Sequence, residues 1–102
     1  MNARKGTRRE RQRVHELKEL GYTVIRSAGS RGPFDLVAIN GREMLLEQIK
    51  ASKTKHGIAR ARREAKAALR GVRVPPRAQV NLVVYVDRMD RIVISLRPLV
   101  GP

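Results

Sequence analysis

A chain of 102 residues has room for one small domain around one core. Its 23 Lys and Arg stand against 9 Asp and Glu, a formal charge of +14 whose self-repulsion a polyanion would offset. Nucleic acid is therefore the first partner to expect and an anionic membrane surface the second; a spanning helix is excluded, because no apolar run approaches the ~20 residues it needs.

No cysteine is present, so there is no disulfide framework and no thiolate zinc site, which suits a cytoplasmic protein. Residues Met1 to Lys5 lead into no apolar stretch and do not read as a secretory signal. No amphipathic segment carries the Trp/Phe face of an interfacial membrane binder. Tyr22, Phe34 and Tyr85 are too few for base stacking to dominate recognition, and phosphate contact fits better.

Residues 4 to 20 predict a charged helix with Val14, Leu17 and Leu20 or Gly21 at helical spacing and Gly21 as its stop. Glu10 falls one turn before Val14, on or beside the inward stripe. It reads either as a solvated partner of Arg11 or Arg13 or as a carboxylate helping to bind a metal. Tyr22 to Arg26 predicts a short β-branched strand. Next comes the turn-rich stretch Ser27-Ala28-Gly29-Ser30-Arg31-Gly32-Pro33, then Asp35 and the apolar run Leu36 to Ile39. Asn40-Gly41 predicts a two-residue hairpin into a second run from Met44 to Lys50.

Folding at that hairpin brings Asp35 to the Gln48/Lys50 end, since both lie far from the turn. Strand alternation points Gln48 and Lys50 one way and Glu47 the other. A carboxylate, an amide oxygen and a lysine gathered there make a metal and phosphate site. Singly, Asp35 reads as a turn-capping aspartate and Lys50 as an edge-guarding lysine; their convergence is what those readings leave unexplained.

A polar basic loop, Ser52 to Gly57, precedes a helix with Ile58, Ala61, Ala65, Ala68 and Leu69 along its inward stripe. The small residues allow close approach to a sheet. Lys53 and Lys55 in the loop and Arg60, Arg62, Arg63 and Lys66 on the other helix faces are candidate phosphate contacts. Gly71 and Pro75-Pro76 end the helix. Val80 to Val86 and Ile92 to Leu96 alternate around an Asp87 to Asp90 turn, a second hairpin, and Pro98 to Pro102 reads as a frayed tail. His15 and His56 share no face with the carboxylates and read as surface groups. The whole predicts one α/β domain over residues 1–102, a mixed central sheet flanked by helices in the order αβββαββ.

This order resembles the PD-(D/E)XK nuclease superfamily, the restriction-endonuclease-like fold, and within it the archaeal-type Holliday junction resolvases. The residues carrying the resemblance are Arg4-Lys5-Gly6 with Arg9-Glu10-Arg11, Val24 to Ser30, Asp35-Leu36-Val37-Ala38, and Lys50. It implies a homodimeric, Mg²⁺-dependent endonuclease, with Mn²⁺ as a substitute cation and no small-molecule cofactor, that nicks two strands of a branched, four-way DNA junction. It would act alongside cellular DNA in the cytoplasm, or in a host cell if the source is viral. By the same resemblance Glu10, Ser30, Asp35, Gln48 and Lys50 are the catalytic set. Asp35 is then the principal metal ligand, with Gln48, the carbonyl of Ile49 and Glu10 as companions, and Lys50 holds the attacking water or the charge on phosphate. Arg26 and Ser30 would hold the scissile phosphate, and Arg4, Lys5, Arg9, Arg11 and Arg31 would add DNA contacts.

One position departs from the pattern: Gln48 stands where the family's Glu-x-Lys has its glutamate. An amide oxygen can coordinate Mg²⁺ without adding negative charge, so a working Gln-x-Lys site is the reading adopted. An inactivated copy, an engineered substitution, or a bulge turning Glu47 inward are the alternatives. The corresponding alternative functions are a repair or restriction-like nuclease of the same fold and a non-catalytic basic DNA-binding protein.

Overall fold

Two long strands, β3 (Met44–Ser52) and β4 (Ala78–Val86), run parallel through the middle of a five-stranded sheet. The structure is a computed structural model that describes residues 2–27 and 32–96, with side chains from residue 8 onward. Strands β1 (Thr23–Arg26) and β2 (Leu36–Ile39) extend the sheet antiparallel beyond β3, and β5 (Ile92–Ser95) extends it antiparallel beyond β4, in the order β1-β2-β3-β4-β5. Helix α1 (Asn2–Glu19) precedes the sheet. Helix α2 (Gly57–Ala68) forms the crossover that a parallel pair requires. The chain order and mixed sheet are those the sequence predicts.

Alternation along the central strands divides the interior into two layers. Leu45, Ile49, Val83 and Tyr85 join Leu17, Leu36 and Ala38 on the α1 face. Leu46, Val80, Leu82, Val84 and Val86 join Ala61, Ala65 and Val74 on the α2 face. Every residue from Val80 to Val86 is therefore buried, where the sequence pattern suggested a strand with one wet face. A strand covered on both sides has no face to keep polar.

Three local expectations change. Leu20 is 67% exposed, not on the inward stripe, because α1 ends at Glu19 and the chain reverses at Gly21, whose φ of +95° suits glycine. The inward row of α1 is instead Glu10, Arg13 and Leu17, two of them charged. Ala68 is likewise exposed at the end of α2, leaving Ala61 and Ala65 as its buried contacts. Third, the β2–β3 connection is four residues, 40 to 43, since Ile39 pairs with Met44. Asn40 Oδ1 accepts the amides of Arg42 and Glu43, each at 2.8 Å, so Asn40 caps a longer turn rather than entering a left-handed two-residue one.

The second hairpin is as expected, with Arg88 at φ +65° in its turn. His15 and His56 are exposed. The expected tail from Pro98 lies outside the described residues. Among the described residues no helix is long and apolar enough to cross a membrane.

Candidate active site

The start of β2 fixes Asp35 by three hydrogen bonds. Its amide donates to the carbonyl of Glu47 (2.9 Å), its carbonyl accepts the amide of Ser27 (2.9 Å), and its Oδ2 accepts the amide of Ile49 (2.7 Å). The carboxylate thus stands in for the next ladder acceptor where β2 has run out, a charge-assisted bond that orients it. Among the described residues only Oδ2 is taken, which leaves Oδ1 for a cation or water.

Register settles the question of Glu47. Glu47 pairs with Leu36 and Asn81, and Gln48 with Leu82, in unbroken ladders. No bulge turns Glu47 toward Gln48, so that alternative is overturned. Gln48 (4% exposed) and the exposed Lys50 share the face away from α1, beside the Asp35 end of the hairpin. Glu47 faces α1, fully buried, where Oε1 takes Arg13 Nε at 2.8 Å and Oε2 takes Arg13 Nη2 at 3.0 Å and Asn81 Nδ2 at 3.0 Å. Burial alone would lower the Arg13 pKa, but hydrogen bonds and attraction to Glu47 outweigh it, so the pKa is raised and Arg13 stays charged. Sequence reading passed over Arg13, Glu47 and Asn81 as members of one cluster.

Glu10 is buried, and its partner is neither Arg11 nor Arg13: Oε1 takes Arg26 Nε at 3.0 Å. Arg26 ends β1 opposite Leu36, the neighbour of Asp35, so Glu10 reaches the same end of the sheet from the α1 side. Ser30 and Arg31 lie outside the described residues, as do the side chains of Arg4 and Lys5. The structure therefore brings Asp35, Gln48, Ile49 and Lys50 to one strand end, with the Glu10–Arg26 pair alongside.

The donor set is oxygen throughout: one or two carboxylates, an amide and backbone carbonyls. Among the described residues no three of His, Cys, Asp and Glu cluster. Mg²⁺ prefers hard oxygens and is held by one or two carboxylates while keeping several waters, so these residues fit it.

The basic side chains divide into free and engaged. Lys53, Lys55, Arg62, Arg63 and Lys66 are exposed, and Arg60 is exposed but paired with Glu64 at 3.3 Å. Lys55, His56, Arg62, Arg63 and Lys66 line one open concavity of about 860 Å³ beside Ile94. Arg11 is exposed. Arg9 is drawn inward, over the Tyr85 ring at 5.2 Å and toward Asp87 at 3.5 Å, so its charge is spent within the fold rather than offered as a solvated contact.

A mixed sheet covered on both faces, with hairpin strands that end in this oxygen-and-lysine group, defines a restriction-endonuclease-like domain. The family model of the archaeal Holliday junction resolvases (Hjc) matches residues 1–91. Among solved structures the chain is similar to Archaeoglobus fulgidus Hjc, a Holliday junction resolvase from an archaeal hyperthermophile, with 28% identity and a TM-score of 0.61 over 89% of this chain and 72% of that one. The chain belongs to the archaeal Holliday junction resolvase family, and so to the structure-selective nucleases that resolve four-way DNA junctions.

Proposed function

We propose that the chain nicks two strands of a four-way junction as a homodimer, by Mg²⁺-dependent phosphodiester hydrolysis centred on Asp35. The observation that carries this is the 2.7 Å bond from the Ile49 amide to Asp35 Oδ2, which fixes a carboxylate beside Gln48 and Lys50 and leaves its second oxygen to a cation. Asp35, Gln48 and the Ile49 carbonyl would hold the Mg²⁺, for which Mn²⁺ would substitute. Bound there, the cation supplies Lewis acidity, making a water nucleophilic and screening the phosphate.

The chain's own residues do the rest. Lys50, exposed on the same face as Gln48, donates to the attacking water or to the non-bridging phosphate oxygen on which charge grows. Glu10 accepts from a water at the edge of the site, and Arg26, released from part of its pairing with Glu10, reaches the scissile phosphate together with Ser30. One domain has one such site and a junction offers two strands, so two copies about a two-fold axis supply paired nicks. The charged α2 surface supports phosphate contact along the arms. The chain would work beside cellular DNA in the cytoplasm.

A labelled four-way junction and a matched duplex, each incubated with and without Mg²⁺, test the reading. Paired, cation-dependent nicks in the junction alone are expected. Tight junction binding with no cleavage in Mg²⁺ or Mn²⁺ would instead make the chain a non-catalytic binder.

A further inference from the structure

We propose that the buried Arg13–Glu47–Asn81 cluster is the positioning device that sets α1, and with it Glu10, against the cleavage hairpin. The inference rests on the reading that Glu10, Asp35, Gln48 and Lys50 act on one phosphate.

Glu47 is a junction of four elements. Its carboxylate is 0% exposed and receives the Arg13 fork from α1 at 2.8 and 3.0 Å and the Asn81 amide from β4 at 3.0 Å. Its own carbonyl receives the Asp35 amide of β2 at 2.9 Å, and Gln48 is the next residue of β3. One side chain thus fixes a helix and a strand from behind the sheet, while its main chain fixes the residues at the front.

Helix α1 needs such a fixture. Leu17 is its one fully buried apolar side chain among the described residues, with Val14 only partly covered. Apolar contact is non-directional and leaves a helix free to slide or roll by small amounts. Leu17 also lies seven residues from Glu10, about 10 Å along the axis, whereas Arg13 is three residues away, about 4.5 Å. A bidentate guanidinium–carboxylate fork constrains both rotation and axial position. Arg13 Nη1 further reaches Glu16 at 3.3 Å, and Glu16 takes the Tyr85 hydroxyl at 2.8 Å and Arg91 at 3.1 Å, extending the grip to β4 and to the connection that follows it.

Replacing a buried ion pair by apolar side chains of similar volume is often neutral or stabilising, so stability and positioning can be separated. The test compares wild type, Arg13→Met/Glu47→Leu and Arg13→Lys for melting temperature, junction Kd and single-turnover cleavage of a synthetic four-way junction in Mg²⁺. Each is made with and without Glu10→Ala. The double variant strands the buried Asn81 amide and is expected to stay folded but melt somewhat below wild type, to bind the junction within twofold, yet to cleave at least tenfold more slowly. Glu10→Ala is expected to cost at least fivefold less in that background than in wild type, because the variant has already misplaced Glu10; a merely structural role would leave the two effects additive. Arg13→Lys keeps the charge opposite Glu47 but not the fork, and should behave in the same way; should the double variant not fold, this variant decides by the same criteria. Cleavage within twofold of wild type, or an unchanged Glu10→Ala effect, overturns the proposal. Wild type that binds but never cleaves would sink the underlying reading of the site, a result distinct from additive effects in an active enzyme.

Discussion

The concavity on α2 makes a numerical prediction about salt. Lys55, Arg62, Arg63 and Lys66 line it and are exposed, whereas Arg60 is partly compensated by Glu64. If these side chains lie along phosphates, each contact contributes a slope of about −0.9 to the log of the binding constant against log salt. Converting Arg62, Arg63 and Lys66 to alanine should then flatten the slope by about 2.7 per subunit, or about 5 for a dimer. Over a fourfold rise in salt, the dimer's wild type should lose about three orders of magnitude more affinity than the variant. Folding should be spared, since the three residues lie off the Ala61/Ala65 contact and alanine is the best helix former. Duplex and junction should weaken alike, because phosphate contacts carry no sequence information, while preference for the junction persists. Titrations at four or more salt concentrations, with melting curves as a control, measure it. An unchanged slope in a folded variant would refute the reasoning and leave this helix face merely solvated.

Other outcomes follow from single positions. Asp35→Asn should abolish cleavage with junction affinity equal or higher, since it removes repulsion of phosphate; cleavage within tenfold of wild type by the folded variant would contradict the assignment. Gln48→Glu should tighten cation binding, read by Mn²⁺ or Mg²⁺ titration of the DNA-free protein, and an unchanged affinity would remove Gln48 from the ligand set. A Cβ on Gly57 would collide with Ser52 Oγ and disturb its 2.6 Å bond to the Thr54 carbonyl, so in denaturant melts Gly57→Ala should cost about 1 kcal/mol in wild type and much less in a Ser52→Ala background, where that bond is already gone. Burial, and then the hydrogen bond to Glu16, hold the Tyr85 hydroxyl protonated well above its ordinary range. Because the folded-state pKa is the raised one, that stabilisation is complete below about pH 10 and is lost as pH climbs beyond it. Denaturant melts from pH 9 to 11 should fall more steeply for wild type than for Tyr85→Phe; parallel curves would rule the effect out.

What the sequence made legible was local and periodic. Asp35 after a Gly/Pro turn, and Gln48 and Lys50 two apart on a strand, are positions that alternation alone orients, and the ladders place them as alternation requires. The alanine stripe of α2 was readable for the same reason. Arg13 and Glu47 were not, because periodicity assigns every charge to water by default. Each breaks the pattern singly, Glu47 inside an apolar run and Arg13 on the row of Leu17, and only their pairing across 34 residues explains both. Glu10's partner was missed likewise: nearby Arg11 and Arg13 competed in the sequence with Arg26, which only the β1–α1 packing brings close. Asn40-Gly41 misled because Asn40 can make its turn through its own side chain, which a two-residue motif does not encode.

The same packing sorts the charge of the whole domain. On the α1 side, acids meet cations: Glu47 with Arg13, Glu16 with Arg13 and Arg91, Glu10 with Arg26, and Asp87 with Arg9. On α2 the one ion pair among the described residues is Arg60 with Glu64, and Lys55, Arg62, Arg63 and Lys66 have no such partner there. Among the described residues, exposed cations without an ion-pair partner are thus dense on the α2 side, the side to which Gln48 and Lys50 also point. A second carboxylate at position 48 would place negative charge on that side, next to an incoming phosphate. In the proposed site the amide would keep an oxygen ligand without it, while the glutamate beside it pairs with Arg13 behind the sheet. On the proposed assignment Gln48 and Glu47 would divide two tasks between them, coordination in front and anchorage behind, and the exposed cations of α2 would draw DNA to the face proposed to carry the chemistry.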